Sequence, residues 1–566
     1  NKGFGNDFYL TASVGGETNR SLGGQYAESS TNGGFQLADR YVISNSLNPA
    51  TITARFNPKK RTDAVYVYGD LTWRDMLTLS FSARNDWNST LTYQSGLGDY
   101  SYFYPSVGLA YVFSDMPSFK SNVISFGKLR ASYGYTGYGT DPYTANKTGQ
   151  YRRGIPDGPT DFITPNGTIP MYTFADAILP NYGLKNQLTK EMEFGTELRF
   201  FDNRLGIDAA YYKKNTYNQI FGIPVATESG LSSRLINAGN IQNQGIEIVL
   251  SGSPIRTKNF QWNTVVNFTR NRNKILELAP GVKTYELELG FGADVKAVAI
   301  PGGDYGILQT SYGYAYYQKR DMEGKPIDHP NNGKKVIGDP ANADFGMTFL
   351  RTGQYDNSTK DLGSIMEKYL LSNINNFNYK NFTFGFQVDA KVGGLMGSGT
   401  HQYGSANGSM KNSLFGRDAE HGGITYTDGN GEVRNDGIIP DGVFADGYKS
   451  PITGAEMGGM TFKEAYDQGL VLPKPAYQYY DDLSNWGGGI REYSIFENTW
   501  VSLREISAGY NLPASFTKKI SFQSLRISAV ARNVIYLYKT APDGINPEGI
   551  YTNRAAGFME YGGMPY

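Results

Sequence analysis

Arg84 and Asp86 stand two residues apart with Trp87 and Asn88 directly after them, and Glu193, Glu197 and Arg199 fall at odd positions of one further stretch. Residues two apart share a face when the chain is extended, because successive side chains of a strand point to opposite sides. Charged groups gathered on one such face can hold water, pair with one another and hydrogen-bond a polar solute. Arg130 occupies an equivalent position in another stretch. Arg84, Asp86, Trp87, Asn88, Arg130, Glu193, Glu197 and Arg199 are therefore the candidate solute contacts, and their plainer role is to keep an inner surface wet.

Other reactive residue types give no catalytic pattern. Asp428-Gly-Asn-Gly-Glu432-Val-Arg-Asn435-Asp436 has the acidity of a calcium loop, but Val433 sits where the sharp-turn Gly belongs and Ile439 where the bidentate Glu belongs, so a solvated turn is expected. The pair Asp481-Asp482 has no further carboxylate at metal-ligand spacing and reads as loop surface. His329, His401 and His421 belong to no zinc-ligand motif and are expected to be solvated loop residues. No nucleophile elbow or phosphate loop occurs, and Glu191 with Glu193 reads as two positions on one strand face. No enzyme, cofactor or metal is expected.

The elements that must position these residues are strands. Leu77-Thr-Leu-Ser-Phe-Ser-Ala-Arg84 puts Leu77, Leu79, Phe81 and Ala83 on one side and Thr78, Ser80, Ser82 and Arg84 on the other. Similar alternation is read at about 4–14, 64–73, 77–87, 103–113, 124–136, 190–200, 204–215, 239–251, 259–271, 368–379, 382–393, 497–511 and 523–535. No stretch approaches the roughly 20 apolar residues of a membrane-spanning helix. The 43 Tyr, 31 Phe and 69 Gly suit strands, aromatic girdles and turns. The 53 basic and 53 acidic residues cancel, which gives no footprint for nucleic acid, and the lack of Cys excludes disulfides and thiolate sites.

The connections alternate in length. Short links at 74–75, 202–204 and 379–381 carry Asp and Asn turn chemistry, whereas the links near 15–63, 88–102, 137–189, 216–238, 272–367 and 394–496 are long. Apolar-out, polar-in strands joined by alternating short and long links predict an all-β, transmembrane antiparallel β-barrel, with the short turns periplasmic and the long loops extracellular. A soluble sandwich or propeller rarely combines such loops with that asymmetry.

Several further stretches stand in a fixed order: Tyr104-Pro105-Ser106-Val107-Gly108-Leu109, Lys128-Leu129-Arg130-Ala131-Ser132-Tyr133-Gly134, Phe194-Gly195-Thr196-Glu197, Tyr211-Tyr212-Lys213-Lys214-Asn215-Thr216, Asn237-Ala238-Gly239-Asn240 with Asn243-Gln244-Gly245-Ile246-Glu247, Leu503-Arg504-Glu505-Ile506-Ser507-Ala508-Gly509-Tyr510 and Asn546-Pro547-Glu548. In this order and spacing they resemble the SusC/RagA family of TonB-dependent outer-membrane transporters. The resemblance implies that residues 1–566 are the C-terminal portion of such a barrel, about 13 strands of an expected total of about 22, with the N-terminal plug and TonB box outside this chain. The opening Asn1-Lys-Gly-Phe-Gly, without a Met or signal segment, also reads as part of a longer precursor.

The expected function is active import of a large nutrient, an oligosaccharide or oligopeptide, across the bacterial outer membrane. The resemblance implies a SusD-like surface lipoprotein as lid, energy from a TonB-ExbB-ExbD complex through the missing N-terminal region, and pairing of SusCD complexes into a dimer. Outer-membrane lipid is the surrounding partner and nucleic acid is not one. Tyr403, Phe415, Tyr426, Phe444, Tyr448, Tyr477, Tyr479, Tyr480 and Trp486, all in the 394–496 link, could grip sugar, peptide or the lid, or merely pack. A passive porin and a surface glycan-binding or adhesin β-protein are the alternatives.

Overall fold

A computed structural model describes the chain except for residues 1, 5–6, 58, 93–97, 143, 145–150, 154–160, 166, 171, 175–177, 180, 182, 225–232, 340–347, 551–556 and 563–566. Each of the thirteen alternating segments carries a long ladder strand. These are β1 (Phe8–Ser21), β2 (Lys60–Trp73), β3 (Leu77–Asn88), β4 (Ser101–Val112), β5 (Ile124–Tyr138), β6 (Gln187–Phe200) and β7 (Leu205–Pro224), then β8 (Ser233–Arg256), β9 (Phe260–Glu277), β10 (Tyr369–Tyr379), β11 (Phe382–Val392), β12 (Trp500–Asn511) and β13 (Arg526–Lys539). Their order in the sheet is their order in the chain, as in an up-and-down meander.

The chain forms two compact units, Asn1–Asp202 with Asp208–Gln244 and Leu276–Val282, and Asn203–Ile207 with Gly245–Ile275 and Lys283–Tyr566. In the first, β1 through β6 pair successively and antiparallel. Alternation along β3 places Leu79 opposite Leu71 and Leu109, and Ser80 opposite Asp70 and Gly108. The apolar face is left open, with Val65 53% and Leu129 50% exposed, as a lipid-facing surface requires.

Three strand expectations need correction. The segment expected at 4–14 begins at Phe8 and runs on to Ser21, while Lys2–Phe4 turns back to pair with Phe8–Leu10. Gly15-Gly16 reads as a strand end, yet Gly15 is the register partner of Tyr66, and a Cβ there would lie 2.6 Å from the Tyr66 ring. Glycine thus continues the strand by making room for an aromatic side chain. Strands β7 and β8 likewise outrun the expected ends at 215 and 251, because polar runs such as Asn215-Thr-Tyr-Asn still satisfy a ladder beyond an apolar band.

The short turns bend through left-handed backbone, which Asp75, Asp202 and Asn203 tolerate better than other side chains do. Arg74 and Asp75 have φ of 49° and 58°, and Phe201, Asp202 and Asn203 have φ of 53°, 53° and 64°. Arg74 also pairs with Asp7 at 3.0 Å, tying two neighbouring turns.

Within the second unit, β9 through β13 pair in succession apart from two large insertions. The 272–367 and 394–496 links, expected as loops, fold together into a cap with its own core. Tyr314, Ile337 and Phe349 from one insertion pack with Phe444, Met457, Phe462 and Leu483 from the other. Strands Tyr285–Gly290, Val295–Ala299, Tyr305–Thr310 and Lys360–Ser364 make a small sheet beneath Phe558 and Met559. Aromatic residues without period in the sequence therefore supply a hydrophobic core rather than a loop surface.

Candidate functional site

The alternation of β3 places Ser80, Ser82, Arg84, Asp86 and Asn88 on the inner face and Phe81, Ala83, Asn85 and Trp87 on the outer face. Ser80 Oγ donates to Asp70 at 2.6 Å. Arg84 donates from Nε to Asp86 at 2.5 Å and from Nη1 to Glu17 at 3.0 Å, while its guanidinium lies 5.6 Å from the centre of the Tyr66 ring. A groove of about 770 Å³ runs along this wall between Arg84 and Asp86 at one end and Arg130 and Glu193 at the other.

Arg130 is held by Glu193 at 3.3 Å and Asp208 at 2.8 Å, and Arg199 by Glu197 at 2.7 Å. The six charged candidates thus fall into three separate clusters along one wall, with Glu193 joined to Arg130 rather than to Glu197 and Arg199. Each cation already has a carboxylate. Such half-exposed pairs contribute about 0–1 kcal/mol apiece, so their effect is to make the wall wet and locally neutral rather than to hold the fold.

Trp87 and Asn88 take other positions. Trp87 is register partner of Asp63 on the outer face, where a half-exposed indole suits a membrane interface. Asn88 is buried, and its Oδ1 accepts from the Thr90 amide at 3.1 Å and the Thr90 hydroxyl at 3.0 Å, fixing the turn after β3. Glu17 and Asp208 were not among the expected contacts. Glu17 lay beyond the expected end of its strand, whereas Asp208 was legible as an inner-face position.

A further inner-face cluster centres on Arg504 of β12. It donates to Asp389 at 3.0 Å, Asn533 at 3.0 Å and Glu548 at 2.7 Å, and the Tyr536 hydroxyl lies 2.8 Å from both Glu548 and Asn546. Two sequence stretches noted only as family-like, around Arg504 and at Asn546-Pro547-Glu548, therefore meet. Their complementarity was invisible because 44 residues separate Arg504 from Glu548.

The cap overturns two expectations. His401 is 3% exposed, not solvated; its Nδ1 is 3.0 Å from Ser494 Oγ, and its ring lies between Tyr493 and Phe496. Burial pushes its pKa down to about 4, so the imidazole is neutral. Asp482 is not loop surface: it lies buried on the helix Ala476–Ser484 and pairs with Lys474, beside the Thr348 hydroxyl at 3.3 Å. Burial raises the Asp482 carboxyl and lowers the Lys474 ammonium. Asp481 is exposed, His421 is exposed and pairs with Asp418 at 2.8 Å, and His329 is half-buried edge-on to Tyr317.

Asp428 closes a hairpin turn by accepting from the Asn430 and Glu432 amides at 2.9 and 3.0 Å, and no metal-holding cluster occurs among the described residues. The aromatics of the 394–496 link divide. Phe444 is buried with Tyr448 and Tyr479 packed against its core, and Tyr480 is buried in a second cluster with Ile438 and Ala476. Tyr403 and Trp486 instead stack openly at 5.8 Å with their planes 9° apart, each about half exposed. Arg491 lies beside Trp486, its guanidinium 5.7 Å from the centre of that ring.

A polar inner face, an apolar outer face and a folded cap are the parts of a membrane receptor barrel, and comparison with known proteins agrees. The family model described as "TonB dependent receptor-like, beta-barrel" matches residues 1–389. TonB-dependent receptor P3 of Formosa agariphila is 25% identical over 564 residues, covering 96% of this chain and 49% of that protein. TonB-dependent receptor SusC of Bacteroides thetaiotaomicron is 27% identical over 331 residues, 55% of this chain and 29% of SusC. The RagAB peptide transporter structure superposes with a TM-score of 0.64 at 17% identity, over 96% of this chain and 51% of that one. The chain thus spans about half the length of the P3 receptor and of the RagAB chain. It shares the fold of the RagAB chain and sequence with SusC, and it belongs to the TonB dependent receptor-like β-barrel family of the outer membrane.

Proposed function

We propose that the protein containing this chain imports a large polar nutrient, an oligosaccharide or oligopeptide, across the outer membrane as the SusC-type member of a complex with a SusD-like surface lipoprotein. Import is energised through TonB-ExbB-ExbD, and two such pairs assemble as a dimer. The observation that carries this reading is the cap: both longest links fold into one body with a shared core and an open Tyr403–Trp486 face. A stacked aromatic surface beside buried polar anchors suits capture of a bulky solute or docking of a lid. The inner wall offers Arg84, Asp86, Arg130, Glu193, Glu197 and Arg199 as hydrogen-bonding groups along the route, in pairs that leave little net charge.

Growth of the native bacterium on defined glycans and peptides tests the proposal. Deletion of the full-length gene should abolish use of at least one such nutrient, and disruption of TonB should give the same defect with the gene intact. Uptake that persists without TonB would establish a porin instead. The protein purified in mild detergent should carry a surface lipoprotein with it; recovery from cells without detergent would establish a secreted adhesin.

A further inference from the structure

We propose that the long-link ends of β1 and β2 form a binding site for an oxyanion group, phosphate, sulfate or carboxylate, carried by a lipid headgroup or by an acidic solute. The carrying observation is a register. Arg20 and Arg61 are direct partners across the β1–β2 ladder, and Ser21 is the partner of Lys60. Side chains directly opposite in an antiparallel pair have Cβ atoms about 4.5–5.5 Å apart, where like charges destabilise the ladder. An anion between them turns that repulsion into two charge-assisted hydrogen bonds.

The surroundings are shaped for such a group. A concavity of about 470 Å³ is lined by Arg20, Lys60 and Arg61 together with Lys59 and the hydroxyl residues Ser21, Ser89 and Thr90, and among the described residues its lining includes no carboxylate. Thr90 is buried and oriented by Asn88, and Ser89 Oγ accepts the Arg61 amide at 2.9 Å, so the hydroxyl side of the concavity is fixed to the strand ends. The neighbouring Asp63 pairs with Arg61 at 2.8 Å and accepts from Thr18 at 2.6 Å. This carboxylate is in contact with Arg61, and the charge of Arg20 reaches it only at longer range.

The site can be reached from two directions. Arg20 and Arg61 share the parity of Val14, Val65 and Val67, the apolar outer face, and stand beyond it along the strands. Lys60 and Ser21 have the inner parity. A phosphorylated glycolipid would approach from the bilayer and a sulfated or carboxylated solute from the barrel mouth. Placement on the outer-leaflet side rests on the proposed function, but anion binding itself does not.

The test uses the full-length transporter in detergent and in nanodiscs, with two probes: lipid A in phosphatidylcholine bilayers and a sulfated heparin hexasaccharide in solution. Arg20→Gln with Arg61→Gln should weaken binding of at least one probe about tenfold at low salt. Arg61→Lys should retain most of it, and Arg74→Gln at the opposite strand ends should leave it unchanged. Heat-modifiable migration verifies folding of each variant. Loss confined to lipid A identifies the lipid source, and loss confined to the hexasaccharide identifies the solute source. Absence of wild-type binding to both probes, or equal binding by the folded double variant, overturns the site; wild-type anion binding in a protein whose nutrient import persists without TonB would refute the proposed function and leave the site standing.

Discussion

Arg491 donates from Nε to Asp294 at 2.8 Å, joining the two cap insertions through a guanidinium side chain that is 0% exposed. The same group donates from Nη1 to the Asn485 carbonyl at 2.8 Å and from Nη2 to the Trp486 carbonyl. A buried charge held by this many partners is strongly destabilising to break, because removal leaves the partners desolvated and unpaired. Arg491→Leu should lower cap stability by on the order of 3–5 kcal/mol, and Arg491→Lys by less. Limited proteolysis of the 394–499 region measures this; wild-type resistance in the Leu variant would refute the assignment.

The face assignment on β3 gives a second expectation. Leu79 lies on the outer apolar face and Ser80 on the inner one. An Arg at a lipid-facing midplane position costs on the order of 2–4 kcal/mol, whereas lumen positions tolerate charge. Leu79→Arg should therefore deplete the heat-modifiable folded band much more than Ser80→Arg. Equal depletion would contradict the alternation.

Orientation is checked by labelling. Asn430 is in the cap hairpin turn closed by Asp428, and Asn203 is in the tight turn between β6 and β7. A membrane-impermeant thiol reagent applied to intact cells should modify Asn430→Cys and spare Asn203→Cys. The reverse pattern would invert the barrel.

His401 predicts a pH dependence. Its pKa in the fold, about 4, lies below the ordinary value of 6.5, so below pH 6.5 the unfolded chain takes up a proton before the folded cap does. The stabilisation is complete above about pH 6.5 and is lost as pH falls toward about 4, amounting to about 3 kcal/mol for this nearly inaccessible ring. Thermal midpoints should fall across that window in the wild type and less steeply in His401→Asn. Parallel profiles would exclude His401 as the titrating group.

The wall was legible because one physical rule, alternation between lipid and water, acts on every strand. Leu77 to Arg84 shows it in eight residues, and each of the thirteen segments carries a ladder strand. The expected ends failed at Gly15 and beyond Asn215, where neither apolar pattern nor turn chemistry marks the boundary. The cap was illegible for a different reason. Phe444 and Phe349 belong to one core although they lie far apart in sequence, and no local period announces such a pairing. His401 and Asp482 were misjudged for the same reason, since polar residues in a Gly-rich stretch read as solvated until the surrounding core is known. The Arg84, Arg130 and Arg199 pairs were partly legible, through parity along their strands, but Glu17 required the full length of β1.

The two-part cap also bears on how such proteins diversify. Its core draws Phe349 and Tyr314 from one side of the β10–β11 hairpin and Phe444 and Leu483 from the other. Recombination that replaced only 394–499 would import half of a jigsaw and expose the remaining half, and a core mismatched in volume loses several kcal/mol. The heritable module is accordingly the whole span from 283 to 499 with its enclosed hairpin, so new capture surfaces should arise by exchange of that block or by substitution at open positions such as Tyr403 and Trp486, not by swapping single loops.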